Sequence, residues 1–355
     1  MAHVATITID HTKVAGDLTD YVGLIVPDAS AGYSALYALC LEGGGDIRLF
    51  KSDDTTELAR EIVTFSVSAE TGEIHYKYSG TLSSSVDTAI HVYADGSSAE
   101  PAAGSTYGSE AVWGDYALVD HLSDLTSSTT KDSTSNGRDG NKTSANQPNQ
   151  ISAVIGEGQD FNQANEEYIN YDGFKNVNTS NPFTISMWVN IKNLISGANF
   201  VAAQTSPSAQ TRPPNFSYSS SSGGNISFNS GNGSASFICR EGNLSNNTWY
   251  YLVGQYDGSD LIQSINAGTP ITDTVTGSLV NDTTNDFRLG WTSNGAFVSL
   301  DGRVDNLRIR PSSVSSEWRT TEYNNQNSYS TFYSVAAVAG SSAAQAARRG
   351  AVMMM

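Results

Sequence analysis

Residues 183–191 read Phe-Thr-Ile-Ser-Met-Trp-Val-Asn-Ile, a short run rich in the β-branched and aromatic residues that strands favour. Similar runs recur on both sides of it, from Val112 to Arg310, and the residues between them are mostly Gly, Ser, Thr and Asn. Such residues form turns, and the intervening sequence shows no helical period. The pattern predicts a two-sheet jelly roll.

A second series of strands precedes this one. Residues 3–10 alternate with period two, and further runs at 21–26, 46–51, 62–67, 74–78 and 88–93 are separated by turn-forming residues. Residues 31–41 and 55–59 are weak helix candidates, and residues 315–324 predict a short helix. We therefore predict an all-β chain of two β-sandwich domains, residues 1–110 and a jelly roll at 111–335, followed by an Ala-rich tail at 336–355. The tail is either frayed or an arm that orders against a partner.

Charge and composition exclude several classes of function. The chain has 355 residues, with 19 Lys and Arg against 36 Asp and Glu, which gives a net charge of −17. Such an acidic chain is unsuited to nucleic acid or to an anionic membrane surface. The two cysteines, Cys40 and Cys239, fit buried small hydrophobes rather than a disulfide framework.

No targeting or membrane segment is expected. The first ten residues lack the basic and apolar regions of a signal peptide, and no run approaches the ~18 apolar residues of a membrane span. We expect no membrane insertion. If the protein works outside a cell, release within an assembled particle by lysis is a route that needs no signal peptide.

Several segments between residues 112 and 309 resemble laminin-G-like, concanavalin A-like lectin/glucanase domains, and they follow that family's order. They are residues 112–116 (VWGDY), 131–140 (KDSTSNGRDG), 158–161 (GQDF), 182–189 (PFTISMWV), 247–253 (NTWYYLV), 256–259 (YDGS) and 300–309 (LDGRVDNLRI). The resemblance implies a jelly roll in which Trp113, Trp188 and Trp249 are packing residues.

The N-terminal half resembles a domain of unassigned function that often precedes such lectin-like domains. The similarity lies in residues 9–14, 17–21 and 46–50, and a matching C-terminal segment covers residues 322–328 and 332–333. Chains of this two-domain type occur in phage virions and in bacterial surface proteins. The resemblance therefore implies an extracellular role, and we expect a location on the virion surface.

Glycan hydrolysis is not expected. Enzymatic relatives of this jelly roll carry two carboxylates at alternate positions of one strand, so that both face the cleft. The sequence has no such run: Glu166 and Glu167 are adjacent, and Asp301 and Asp305 bracket a glycine. We therefore predict that the protein is not an enzyme. The five histidines show no metal-ligand spacing and are interpreted as ordinary surface or core imidazoles.

A structural Ca²⁺ is the cofactor hypothesis. The loop at 131–140 offers Asp132, Asn136 and Asp139, and Asp305 lies on the closing strand, which can run beside the opening segment in this fold. Lectin-like relatives often hold Ca²⁺ there, although the family usually has an acid where Asn306 stands. In the alternative, Asp132 and Asp139 form turns by binding their own backbone.

Glycan binding needs aromatic faces beside planar hydrogen-bonding groups. Trp291 with Asn294 is one candidate pair, and Tyr218 with Arg212 and Asn215 is another. We predict a non-enzymatic phage virion surface protein, a tail fibre or decoration component, whose partners are a cell-surface glycan and other virion proteins and which forms a homo-oligomer. The alternatives are a purely structural capsid or tail decoration protein and a bacterial surface adhesin.

Overall fold

The computed structural model describes residues 1–124, 128–142, 147–175, 179–194, 199–203, 211–220, 224–281, 283–290 and 299–338. The chain forms two compact units. The first comprises Met1–Gly114 and the C-terminal segment that begins at Ser316, and the second comprises Asp115–Ser315.

The all-β class is confirmed. The strands are β1 Ala2–Ile9, β2 Leu18–Ile25, β3 Arg48–Lys51, β4 Glu57–Ser66, β5 Thr71–Leu82, β6 Thr88–Ala94, β7 Leu118–Asp120, β8 Thr129–Thr130, β9 Gly140–Asn141, β10 Asn149–Ser152, β11 Glu157–Phe161, β12 Ile169–Tyr171, β13 Phe183–Ile191, β14 Asn199–Ala203, β15 Asn215–Ser219, β16 Asn225–Gly231, β17 Ser236–Gly242, β18 Trp249–Tyr256, β19 Asp260–Ile265, β20 Ile271–Thr274, β21 Phe287–Leu289, β22 Gly302–Arg310 and β23 Tyr333–Ala337. The helices are α1 Ser34–Leu39, α2 Ser109–Val112, α3 Ser316–Asn327 and α4 Tyr329–Phe332, with 3-10 turns at His11–Lys13, Ala31–Tyr33 and Gln163–Asn165.

The second unit is a sandwich of two antiparallel eight-stranded sheets. The first sheet has the order β10-β11-β22-β13-β18-β19-β20, with β7 paired to β22, and the second has the order β17-β16-β15-β14-β21-β12-β9-β8. Side chains of both sheets meet in one apolar core that includes Phe161, Phe183, Met187, Phe216 and Phe228. The run quoted first is a central strand, β13, and all nine of its residues are buried.

The first unit is built on antiparallel strands in the order β2-β5-β4-β3-β6-β1-β23. Two groups of strands, β2-β5-β4 and β3-β6-β1-β23, are joined by the short β3–β4 pairing of Leu49 with Leu58 and Phe50 with Glu57. The weak helix candidate at residues 55–59 is wrong, because its second half is the start of β4, whose Leu58 is buried in the core. Tertiary packing overrides local propensity there.

The C-terminal segment differs from the domain boundaries expected from the sequence. The predicted helix near residue 315 exists as α3, but it packs in the first unit, where the Asn325 side chain binds both backbone polar groups of Leu24. β23 adds to the same unit by pairing with β1, Ile7 opposite Val335. Trp113 also belongs to the first unit, fully buried, with its indole N–H donating to the Glu61 carboxylate.

Candidate functional site

The Asp132 carboxylate, a predicted calcium ligand, is surrounded by hydrogen-bond donors from its own loop and from β7. Oδ1 accepts from the backbone N–H of Val119 (3.1 Å) and of Thr134 (3.0 Å). Oδ2 accepts from the Thr134 hydroxyl (2.8 Å) and the Arg138 N–H (2.9 Å). Four donors use the lone pairs that a cation would need. The geometry favours the alternative in which Asp132 shapes the loop.

The other two predicted calcium ligands also accept hydrogen bonds, but fewer of them. Asp139 is exposed and accepts the Asp132 N–H at 2.9 Å. Asp305 is fully buried and accepts the Ile155 N–H at 2.9 Å and the Asn306 side-chain N–H at 2.7 Å. The closing strand does lie beside the opening segment, since Leu307 pairs with Asp120. Within the described ranges, neither Asp132, Asp139 nor Asp305 belongs to a group of three or more metal-ligating side chains. These hydrogen bonds favour turn-forming and strand-joining roles for the three residues, and a calcium ion here stays a prediction.

A buried carboxylate next to this loop was not anticipated from the sequence. Asp120 accepts the Leu122 N–H at 2.8 Å, the Tyr171 hydroxyl at 2.8 Å and the Thr130 hydroxyl. Burial raises the pKa of Asp120 to about 6, against the lowering effect of these donors. The group is fully enclosed, and its hydrogen bonds join β7 to β8 and β12.

The structure describes three of the five predicted glycan-binding residues: Arg212, Asn215 and Tyr218. Trp291 and Asn294 lie outside the described residues. The prediction that Tyr218 binds a glycan is wrong. Its side chain is only 1% exposed and forms part of the core, because β15 turns Phe216 and Tyr218 inward. A ring buried in this way cannot stack on a sugar. Its hydroxyl accepts the Asp301 N–H at 3.1 Å.

Arg212 and Asn215 lie at the start of β15. The Arg212 carbonyl accepts the Gly231 N–H at 2.8 Å, and burial lowers the pKa of its guanidinium. Asn215 is 1% exposed and donates to the Pro213 carbonyl at 2.8 Å. Of the described candidates, only the partly exposed Arg212 can reach solvent.

The outward face of β15, β16 and β17 is strongly polar. Register places Ser217, Ser227 and Arg240 in one row across the three strands. Asn229 donates to the Ser217 hydroxyl at 2.9 Å, and Arg240 Nε donates to the Ser227 hydroxyl at 3.1 Å. Arg240 is exposed whereas the Ser and Asn side chains beneath it are buried. The accessible edge of this face therefore carries a positioned guanidinium.

A shallow cleft of about 390 Å³ opens at the end of these strands. Its lining combines two leucines with small polar residues: Leu194, Ser220, Gly224, Leu244, Ser245 and Asn246. Ser220 and Gly224 directly follow β15 and precede β16, so the cleft continues the polar face.

Backbone conformation and hydrogen bonds hold the walls of the cleft. The chain turns at Asn243 and Asn247, whose φ values of 63° and 57° suit asparagine better than most residues. The Asn246 side-chain oxygen accepts the Leu194 N–H at 3.1 Å, which orients the amide. No aromatic motif in the sequence pointed to this cleft; its one signal is the Asn- and Ser-rich stretch between β17 and β18.

The acidic residues considered for hydrolysis have structural partners. Glu167 is buried and accepts the Asn162 N–H at 2.7 Å and the Asn165 side-chain N–H at 3.0 Å. Asp301 forms an ion pair with Lys192 at 3.4 Å. These contacts anchor loops, and we assign no catalytic pair of carboxylates among these residues.

Comparison with known proteins identifies the fold of the second unit. Residues 163–318 match the profile of the concanavalin A-like lectin/glucanases superfamily. No curated protein sequence matches the chain.

The solved structures that match this chain share little sequence with it. Domain 4 of an extracellular arabinanase from Geobacillus stearothermophilus, solved with arabinotriose, has 19% identity and a TM-score of 0.47, covering 59% of this chain and 98% of that one. The binding domain of Paraclostridial Mosquitocidal Protein 1 has 13% identity and a TM-score of 0.48, covering 60% and 52%. The enzymatically active domain of tailspike protein 2 from bacteriophage CBA120 has 18% identity and a TM-score of 0.39, covering 50% and 29%. The match thus spans about half of the mosquitocidal protein's binding domain and less than a third of the tailspike chain.

Proposed function

We propose that this chain, whose second unit is a concanavalin A-like lectin/glucanase domain, binds glycans without hydrolysing them. The observation that carries the proposal is the cleft at the end of β15 and β16. It is open, and it joins apolar leucine surface to an amide and two hydroxyl groups. Sugars present the same combination of C–H faces and hydroxyl groups, so a few fixed polar groups suffice to orient them.

Arg240 supports binding of an acidic or hydroxyl-rich glycan beside the cleft. It is exposed, its Nε is held by Ser227, and Gly242 two residues later pairs with Asn225 at the cleft edge. A guanidinium fixed on one side keeps further N–H groups for a carboxylate or a pair of hydroxyl groups.

The test is a glycan-array screen of the full chain, followed by calorimetric titration of the best ligand. We expect Asn246→Ala to weaken binding at least tenfold. The matched control is Asn141→Ala, which removes an exposed asparagine of β9 that binds Asp172 instead. Equal affinity of the Asn246→Ala variant and the unmodified protein would show that the cleft is not the site. Absence of binding to every glycan would overturn the function and favour the purely structural decoration role.

Two further measurements test the chemistry. The bound glycan is expected to release no reducing ends on prolonged incubation, and their release would contradict the non-enzymatic proposal. Binding is expected to persist after chelation, because the predicted calcium ligands are engaged by N–H donors. Loss of glycan binding after chelation would instead support a calcium-dependent lectin.

The proposed setting is the surface of a phage virion, as a homo-oligomeric tail fibre or decoration component beside other virion proteins. The resemblance of the two-unit arrangement to such proteins supports this setting, and the net charge of −17 suits a solvent-facing appendage. Described residues include no helix long and apolar enough to cross a membrane. Mass spectrometry of purified particles tests the setting, and absence of the chain from them would favour the surface adhesin.

A further inference from the structure

Two histidines and an aspartate that are far apart in sequence meet on the first unit. His3 lies on β1, His91 on β6, and Asp54 in the turn between β3 and β4. Each offers one ligand atom, and these atoms lie within 4.8 Å of one another. The imidazole rings of His3 and His91 have centroids 4.2 Å apart with planes inclined by 30°.

One nitrogen of each imidazole ring is in hydrogen-bond contact with neighbouring polar groups. His91 Nδ1 lies 2.5 Å from the Asp54 carboxylate, and His3 Nε2 lies 3.0 Å from the Ala5 carbonyl. A carbonyl or an ionised carboxylate can only accept, so His91 Nδ1 carries N–H toward Asp54, and Nε2 of the neutral His91 ring keeps a lone pair. His3 Nε2 also lies 3.1 Å from the Thr6 hydroxyl, which can either donate or accept. Histidines that ligate metals are oriented by the same kinds of partner.

The turn that carries Asp54 is firmly built. Asp53 accepts the N–H groups of Thr55 at 2.9 Å and Thr56 at 2.8 Å, and it also accepts the Thr56 hydroxyl. Asp54 itself has a φ of 58° and accepts the Tyr93 hydroxyl at 2.8 Å. Tyr93 also stacks on His3, with ring centroids 5.0 Å apart. The three candidate ligands therefore stand on two paired strands and one braced turn.

The exposure of the cluster allows entry of an ion from solvent. His3 and His91 are half-buried, and Asp54 is exposed. A second group, of Asp10, His11 and Asp87, is built around one imidazole and two carboxylates. Imidazole pairs suit Zn²⁺ and Cu²⁺, whereas sites of carboxylate oxygen alone suit Ca²⁺ and Mg²⁺. Of these two groups, the one with two imidazoles is thus the better transition-metal site.

We propose that His3, His91 and Asp54 bind one divalent transition-metal ion of the zinc class on the surface of the first unit. The two imidazoles supply nitrogen ligands. Asp54 either orients His91 or adds an oxygen ligand, and water completes the coordination. Such a site would tie β1 and β6 to the β3–β4 turn, independently of glycan binding by the second unit.

The test is calorimetric titration of the metal-stripped full chain with ZnSO₄. We expect one equivalent to bind, His91→Ala to weaken affinity at least tenfold, and Asp54→Asn to weaken it about 10–100-fold. The matched control is His11→Ala, which removes another half-buried histidine bound to a carboxylate and should leave affinity unchanged. Binding that His91→Ala leaves intact, or that His11→Ala abolishes, would overturn the proposal.

A measurement on the unmodified protein keeps the test independent of variant folding. Long-range ¹H–¹⁵N spectra report the ring nitrogens of each histidine directly. One equivalent of Zn²⁺ should shift the ring nitrogens of His3 and His91 and leave those of His11 in place. Unchanged His3 and His91 signals at saturating Zn²⁺ would refute the site.

Discussion

Removing the Tyr171 hydroxyl should destabilise the second unit in a pH-dependent way. This hydroxyl donates to Asp120 Oδ2 at 2.8 Å inside a fully buried site. Burial raises the pKa of Asp120 from its ordinary value of 3.8 to about 6 and holds that of Tyr171 far above 10, so the tyrosine stays protonated near neutrality. At pH 8 Asp120 is ionised and the bond is charge-assisted; at pH 5 the folded carboxyl is mostly protonated and the bond is neutral.

The magnitudes follow from this difference. Loss of a hydrogen bond to a charged group costs about 1.5–3 kcal/mol, and loss of a neutral one about 0.5–1.5 kcal/mol. Tyr171→Phe should therefore lower the free energy of unfolding by about 1 kcal/mol more at pH 8 than at pH 5. A difference of about 1 kcal/mol corresponds to a further rise of about 0.7 in the pKa of Asp120 in the folded Tyr171→Phe variant.

The direction of the pH dependence can be checked for Asp120 itself. A folded pKa above the unfolded value means that its contribution to stability is present below about pH 4 and is lost as pH rises toward 6. Because the folded pKa of Asp120 is higher still in the Tyr171→Phe variant, its stability should be lost over a pH range that extends further upward. Tyr171→Phe thus steepens the decline in stability above pH 6.

The assay is urea unfolding of the full chain at the two pH values, with a matched control in the same unit. Tyr256 also donates at 2.8 Å, but to the neutral carbonyl of Gly258. Tyr256→Phe should cost about 0.5–1.5 kcal/mol at both pH values. If the two variants lose equal stability at pH 8, or if the loss for Tyr171→Phe is the same at both pH values, the ionised buried carboxylate is refuted.

Two further substitutions test the packing of each unit. Asn325→Ala leaves the Leu24 N–H and C=O without their side-chain partner, and we expect a loss of about 1–3 kcal/mol in urea unfolding; a loss below 0.5 kcal/mol would argue against the contact between α3 and β2. Gly254→Ala would place a Cβ 2.5 Å from the Phe228 ring and 2.7 Å from Phe216, and overpacking should cost about 1–3 kcal/mol. Phe228→Leu in that background should recover part of the loss, and a second substitution that only adds to the damage would contradict this reading of the core.

Local sequence was sufficient for the fold class of this protein. Alternation and β-rich runs such as residues 183–191 determine strands, and turn-forming residues determine where they end, because both effects act between near neighbours. The ordered segments that resemble the lectin/glucanase family added the jelly roll. The pairing of the closing strand β22 with the opening strand β7 agrees with that expectation.

The candidate site could be predicted only in part. Aromatic residues near polar ones indicated a sugar surface, but the strand phase of Tyr218 turns its ring into the core. Acidic residues in a Gly-containing loop indicated calcium, but oxygen ligands and turn caps use the same residues. Which role Asp132 has depends on the donors around it, and these come partly from another strand.

Only the tertiary structure decided which distant residues act together. Asn325 lies on Leu24, separated by 301 positions, and His3 meets His91 and Asp54 although no motif spacing links them. Strand order and register determine which distant residues meet. The strand order and register that the chain adopts minimise the free energy of the whole chain rather than of any one segment. The sequence by itself therefore determined what kind of elements this protein contains, while the three-dimensional pairing of those elements determined its cleft, its buried charge and its histidine cluster.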